Sequence, residues 1–349
     1  ALKQTDSAAE FRYWGGDLMQ EQGGTLVKHY RELAFMGFAE VILNLKTILK
    51  NIKFCKEDIT NFHPDVIIYV DYPGFNLRIA KWAKSKAYKN HYYISPQIWA
   101  WKENRIKSIK HDIDEMYVIL PFEKEFYEQK HNFPVHFVGH PLLDAIQNRP
   151  VTNPEEFREQ HGLDKRPIIA LLPGSRKQEI EKMLRLMLSI SSEYEDYQFV
   201  IAGAPSQDSA FYQAFVKNTN VSLLMNKTYD LLSMSHAALV TSGTATLETA
   251  LFKVPEVVCY KGSFISYHIA KQVINLDYIS LVNLIMNREV VKELIQNDFN
   301  TQMLRAELDK ILTEAHRKKM FEAYYDLEKK LGGSGASKKT AELIVKKIS

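Results

Sequence analysis

Short apolar runs alternate along most of the chain with longer stretches whose apolar positions recur every three or four residues. In the first half, the β-branched and aromatic runs Val66 to Val70, His91 to Ile94, Met116 to Ile119 and Val135 to Val138 predict strands. The intervening spacing predicts helices over Phe75 to Lys86, Lys102 to Lys110 and Pro121 to Lys130. Upstream, Phe35, Phe38, Ile42 and Leu45 recur at helical spacing and predict an amphipathic helix over Leu33 to Leu49. The second half repeats the rhythm, with strands expected at Ile168 to Leu172, Gln198 to Ala202, Val221 to Leu224, Ala237 to Thr241 and Glu256 to Tyr260. These runs are continuously apolar, as in strands covered by helices on both faces.

Strand-helix alternation in both halves predicts two parallel-sheet α/β domains. The Pro- and charge-rich stretch Asn148 to Arg166 is the expected junction, giving domains over 1–160 and 161–349. From Thr301 the chain reads as helical and charged, with a break at Gly332-Gly333-Ser334-Gly335. The terminal helices are expected to pack back on the first domain. Open sheets of this kind bind ligands at the carboxyl ends of their strands, so two facing domains predict a cleft there.

Composition narrows the function classes. Of 349 residues, 46% are apolar and 25% charged, which excludes a disordered chain. A net charge of +3 is too small for a general nucleic-acid binder. Cys55 and Cys259 cannot build a disulfide framework, so a reducing compartment is expected. No apolar run has the length of a membrane span.

Candidate chemistry falls just after the strands. Leu172-Pro173-Gly174-Ser175-Arg176 ends one strand and opens a helix. Gly174 permits the turn, Ser175 can cap, and the Arg176 fork suits a phosphate. The plain alternative is a capped turn with a solvated Arg. Ser242-Gly243-Thr244-Ala245-Thr246-Leu247-Glu248 also follows a strand, with small residues that let backbone N–H groups meet an anion. Glu248 could accept from a ribose diol, or simply favour the helix dipole. Two such turns in one half point to a nucleotide diphosphate. The absence of GK[ST] and GxGxxG endings disfavours ATP and NAD.

Asp71, after Val66 to Val70, is a candidate general base; the alternative is an Asx-type turn with Pro73-Gly74. Trp99 and Trp101 stand beside Lys102, Arg105, Lys107 and Lys110, a grouping suited to an anionic bilayer surface. Core tryptophans beside a solvated basic helix are the alternative. Asp112-Ile113-Asp114 precedes a strand and is expected to be a surface loop. His136 and His140 flank a strand and a Gly139 turn, which argues against a zinc pair. His140-Pro141 is expected to close over the cleft.

Together these segments resemble the lipid-A-disaccharide synthase family. The blocks are Glu32 to Glu40, Val70 to Asn76, Ser95 to Trp101, Leu120 to Glu123, Phe137 to Pro141, Leu172 to Arg176, Ser242 to Glu248 and Asp277 to Leu284. The resemblance implies the two-domain GT-B fold, with facing Rossmann-like domains. It implies an inverting transfer of 2,3-diacylglucosamine from its UDP donor to 2,3-diacylglucosamine 1-phosphate. No metal or cofactor is implied, because cations and a helix dipole would stabilise the departing diphosphate. The family's roles fall here on Asp71 as base, Arg176 on the diphosphate and Asn283 in the catalytic set. Donor-binding positions are Gly174, Ser175, Arg176, Ser242, Gly243, Thr244 and Glu248. A cytoplasmic enzyme peripheral on the inner membrane is implied, and a homodimer is compatible with it. The family begins with a strand and a Gly-Glu-x-Ser-Gly-Asp loop ahead of the match to Ala1-Leu2-Lys3, so the chain reads as clipped at its front. The pattern's second acid after Pro is Gly74 here, which leaves Asp71 alone. Two rivals remain: another UDP-sugar enzyme, such as a UDP-N-acetylglucosamine 2-epimerase or a peptidoglycan glucosaminyltransferase, and a non-catalytic UDP- or lipid-binding relic.

Overall fold

Val66–Val70 forms a strand as expected, but two further strands precede it. The computed structural model of the chain describes residues 1–32, 45–217, 219–262 and 277–348. In it, β1 (Arg12–Gly15) and β2 (Thr25–His29) pair in parallel as a two-stranded sheet. A four-stranded parallel sheet then runs in the order β3 (Val66–Val70), β4 (Lys89–Tyr93), β5 (Glu115–Val118), β6 (His136–Phe137). Its core includes Tyr69, Tyr92, Ile79, Ile109, Met116 and Tyr127. Trp14 of β1 packs near this core, its ring 5.7 Å from Phe54 and 5.6 Å from Phe75. The predicted Leu33 to Leu49 helix lies outside the described residues up to position 44; beyond it, a helix runs Leu45–Phe62.

The second sheet is built from β7 (Ile168–Leu172), β8 (Gln198–Gly203), β9 (Ser222–Met225), β10 (Ser235–Thr241), β11 (Glu256–Tyr260) and β12 (Lys292–Ile295). Their order is β12-β11-β10-β7-β8-β9, all parallel. Every residue of β7 and β8 is buried, which accounts for their unbroken apolar runs.

Contacts divide the chain into two units, Ala1–Gly139 with Gly335–Ser349, and His140–Ser334. The division therefore falls about twenty residues before the expected junction. The Pro- and charge-rich stretch belongs to the second unit: Asn153 caps the helix Pro154–Gln160, Phe157 lies in that unit's core, and Thr152 donates to Asp230 at 2.5 Å. Proline at the first helical turn is starting a helix here, not marking a linker. The last helix, Ala336–Ile348, belongs to the first unit, where Lys347 pairs with Glu115 at 2.7 Å and Lys339 donates to the Phe137 carbonyl at 2.8 Å. Gly332, Gly333 and Gly335 before it all have positive φ.

The Asp112-Ile113-Asp114 segment corrects an expectation. Asp112 is not on a surface loop; it ends the helix Ile106–Asp112, is buried, and lies 2.6 Å from His111. Asp114 accepts the Asn90 N–H at 2.8 Å and pairs with Lys84. Among the described residues no cluster of three or more His, Cys, Asp or Glu could hold a metal ion. Nor is any helix there long and apolar enough to cross a membrane.

Glu256, at the start of β11, is fully buried and neither carboxylate oxygen has a hydrogen-bond partner. Burial pushes its carboxyl well above the usual range, so the fold holds it neutral. Because the folded state binds the proton more tightly than the unfolded state, its contribution to stability falls as pH rises above the unfolded value. Glu256→Gln, which has no proton to lose on unfolding, is expected to be more stable than the parent at neutral pH. The gain should vanish in mild acid, which urea melts at several pH values will show.

Candidate active site

The candidate residues fall into two groups, one on each unit. In the second unit, β7 and β10 are adjacent parallel strands, with Leu172 opposite Val240. Strand order reverses between them: β8 and β9 extend one way from β7, and β10 to β12 extend the other. Such a switch point is where open α/β sheets bind ligands. Both glycine turns open there, from strands spaced about 4.8 Å apart.

On the β7 side, Gly174 has a φ of 103°, which glycine adopts without strain. A Cβ there would also meet the Glu179 carboxylate at 2.3 Å. That carboxylate accepts the Ser175 N–H at 3.3 Å, and Ser206 donates to the Ser175 carbonyl at 2.5 Å. Arg176 is the exposed N-cap of the helix Lys177–Leu188. Its guanidinium therefore stands at the positive end of a helix, where an anion is favoured.

On the β10 side, Ser242 donates its N–H to the Cys259 carbonyl at 3.1 Å and its hydroxyl to the Ile279 carbonyl at 3.1 Å. Gly243 is exposed, a Cβ there would meet no atom within 4 Å, and Thr244 opens the helix Thr244–Leu251. A ligand can thus approach this backbone closely. Glu248 lies one turn in and half-buried; it accepts from Tyr229 Oη at 3.0 Å. Burial pushes its carboxyl up, and the tyrosine hydrogen bond pulls it back.

Asn283, which the resemblance puts in the catalytic set, is tied into the fold of the second unit. Its side chain is buried and committed on both ends: Nδ2 donates to the Val291 carbonyl and to Glu293 at 2.9 Å each, and Oδ1 accepts from Val290 and Val291 at 2.7 and 3.0 Å. It fastens the helix Leu281–Met286 to β12. Asn283→Ala strands these groups and should destabilise the protein by about 2–3 kcal/mol, measured by denaturant melts.

In the first unit, Asp71 is exposed just beyond β3, and its N–H is bonded to the Tyr93 carbonyl at 3.2 Å. The adjacent turn after β4 holds Ser95 to Trp101. Sequence showed Glu123 only as part of a block; the structure makes it the anchor of this turn. Its Oε1 accepts from Ser95 Oγ at 2.6 Å and Trp99 Nε1 at 3.1 Å, while Oε2 accepts from the Ile119 and Leu120 N–H groups at 3.2 and 2.9 Å. A fully buried carboxylate is tolerable when four donors surround it.

The two tryptophans part company. Trp99 is half-buried and packs edge-on against Phe122, with ring centroids 4.8 Å apart. Trp101 is 44% exposed, with Lys102 Nζ 4.2 Å and the Arg105 guanidinium 5.8 Å from its ring. His140 is a buried helix cap, its Nδ1 accepting from the Leu142 N–H at 3.2 Å, and burial pushes it down to about 4, so it is neutral at pH 7. His136 instead contacts Glu115 at 2.7 Å.

The profile of the lipid-A-disaccharide synthetase family matches residues 1–348. The chain belongs to the lipid-A-disaccharide synthetase family. It is thereby a glycosyltransferase of lipid A biosynthesis. Lipid-A-disaccharide synthases of Syntrophus aciditrophicus and Geobacter sulfurreducens are 37% and 34% identical to it, each over 98% of this chain and 91% of their own length. That of Coxiella burnetii strain CbuG_Q212 is 35% identical over 99% of this chain and 92% of its own. Among solved structures, the glycosyltransferase of kitacinnamycin superposes with a TM-score of 0.64 at 12% identity, covering 100% of this chain and 94% of that one. The UDP-GlcNAc 2-epimerase from Neisseria meningitidis gives 0.63 at 14%, covering 99% and 94%. At such identities these likenesses concern the fold, which is GT-B. The family assignment sets the synthase apart from the epimerases that share its architecture.

Proposed function

We propose that this synthase transfers 2,3-diacylglucosamine from UDP to the 6-hydroxyl of 2,3-diacylglucosamine 1-phosphate, with inversion. The acceptor oxygen forms a bond to the anomeric carbon as the bond from that carbon to the diphosphate oxygen breaks. The hydroxyl proton goes to Asp71, and UDP departs. Arg176 and the amides around Gly174, Ser175, Gly243 and Thr244 stabilise the charge that develops on the diphosphate. Glu248 receives the ribose hydroxyls. The observation that carries this reading is the pair of glycine turns side by side at the switch point of the second sheet, on a chain of this family.

Mass spectrometry of products formed from the two lipid precursors tests it. The disaccharide 1-phosphate and UDP are expected in equal amounts. Turnover of UDP-N-acetylglucosamine alone would transfer the assignment to the epimerases.

We further propose that the synthase works at an anionic bilayer, with Trp101, Lys102 and Arg105 at the headgroups. Binding to phosphatidylglycerol vesicles should be stronger than to neutral ones and should weaken with salt. Equal sedimentation with both would remove this route.

A further inference from the structure

Asp71 and Tyr72 both have a φ of 45°, two successive non-glycine residues in the left-handed region. Such backbone crowds Cβ against the following carbonyl, and it persists only where the surroundings hold it. The holding groups are visible. The Asp71 carbonyl accepts from Asn76 Nδ2 at 2.7 Å and from Tyr92 Oη at 2.5 Å. The same amide reaches the Val70 carbonyl at 3.2 Å, so it bridges the end of β3 and the turn. Asn76 sits in the first turn of the helix Pro73–Ser85, and its own N–H is bonded to the Tyr72 carbonyl at 3.1 Å. Tyr92 comes from β4, fully buried, with its ring 5.8 Å from that of Tyr69. Burial first, and the Asp71 charge second, push its hydroxyl far up, which keeps it a donor at neutral pH.

We infer that Asn76 and Tyr92 are positioning residues for the glycosyl transfer, which by gripping the Asp71 carbonyl from two sides set the direction in which the Asp71 carboxylate leaves the strand. This rests on the reading of Asp71 as the base. With the carbonyl gripped, the backbone angles of Asp71 are held, and so is the direction of the Cα–Cβ bond that carries its exposed carboxylate. Without either donor, the turn relaxes toward unstrained backbone and the carboxylate moves. A displacement of about 1 Å is enough to slow a reaction about a hundredfold.

The test uses the full chain with Tyr92→Phe, Asn76→Ala and, in parallel, Asp71→Asn. kcat and KM are measured for both lipid substrates, and urea melts followed by tryptophan fluorescence count the folded first unit, which holds all four tryptophans, Trp14, Trp82, Trp99 and Trp101. Tyr92→Phe and Asn76→Ala are expected to lower kcat about ten- to a hundredfold, with both KM values within twofold and the folded fraction under assay conditions unchanged. A role confined to stability would lower the folded fraction and leave turnover per folded chain intact, and that result would overturn the inference. An inactive Asp71→Asn beside two fully active positioning variants removes the inference and leaves the base assignment standing. A fully active Asp71→Asn removes both. Tyr92→Phe deletes one oxygen and keeps the ring, so it decides the matter alone should Asn76→Ala fail to fold.

Discussion

Arg176→Ala is expected to lower kcat by about 10²–10³-fold, or about 2.7–4 kcal/mol, the loss typical of removing one donor to a developing oxyanion. Stability should stay within about 0.5 kcal/mol, because Arg176 is exposed and makes no side-chain cap to its helix. Loss of activity without loss of fold separates a transition-state role from a structural one. Arg176→Lys should recover only part of the rate, since an ammonium restores the charge without the two-pronged geometry. Steady-state UDP release with thermal melts on the same samples checks both. Wild-type kcat in Arg176→Ala would dismiss the arginine from the diphosphate site, leaving the glycine turns to hold the donor by backbone alone.

The turn that carries Arg176 was legible because its signal is local. A glycine after a buried apolar strand and before a helix needs no tertiary information, and Gly174 and Gly243 both announce themselves in this way. The strands of the second unit were readable for a similar reason: β7 and β11 are apolar nearly throughout because helices cover both faces. Other elements had no such signal. β1 (Arg12–Gly15) and β2 (Thr25–His29) are short and only partly buried, so neither alternation nor a continuous apolar run marks them. β12 mixes Lys292 and Glu293 into a strand at the sheet's edge. The unit boundary was missed because a Pro154 that starts a helix looks, in sequence, like a Pro in a linker. The resemblance marks Asn283, but no spacing shows that its side chain bonds to Val290, Val291 and Glu293. Glu123 likewise anchors Ser95 and Trp99, 28 and 24 residues away. Such roles depend on which distant groups the fold delivers, and no spacing along the chain encodes them.

Asp71→Asn is expected to lower kcat by about 10²–10⁴-fold, the range for loss of a positioned general base. Asparagine is the informative replacement. It keeps the size of the side chain and is, with aspartate, among the few non-glycine residues that enter the left-handed region readily, which the φ of 45° at this position requires. Asp71→Ala would mix loss of the base with backbone strain, and its melting point should fall below that of Asp71→Asn. Because Asp71 is exposed, Asp71→Asn should unfold within about 0.5 kcal/mol of the parent. UDP affinity should also be unchanged, since the donor turns belong to the other unit. A base acts on the acceptor hydroxyl only as bonds change, so the loss should fall on kcat while KM for the acceptor stays within a few-fold. If KM rises and kcat holds, Asp71 binds acceptor and another group takes the proton.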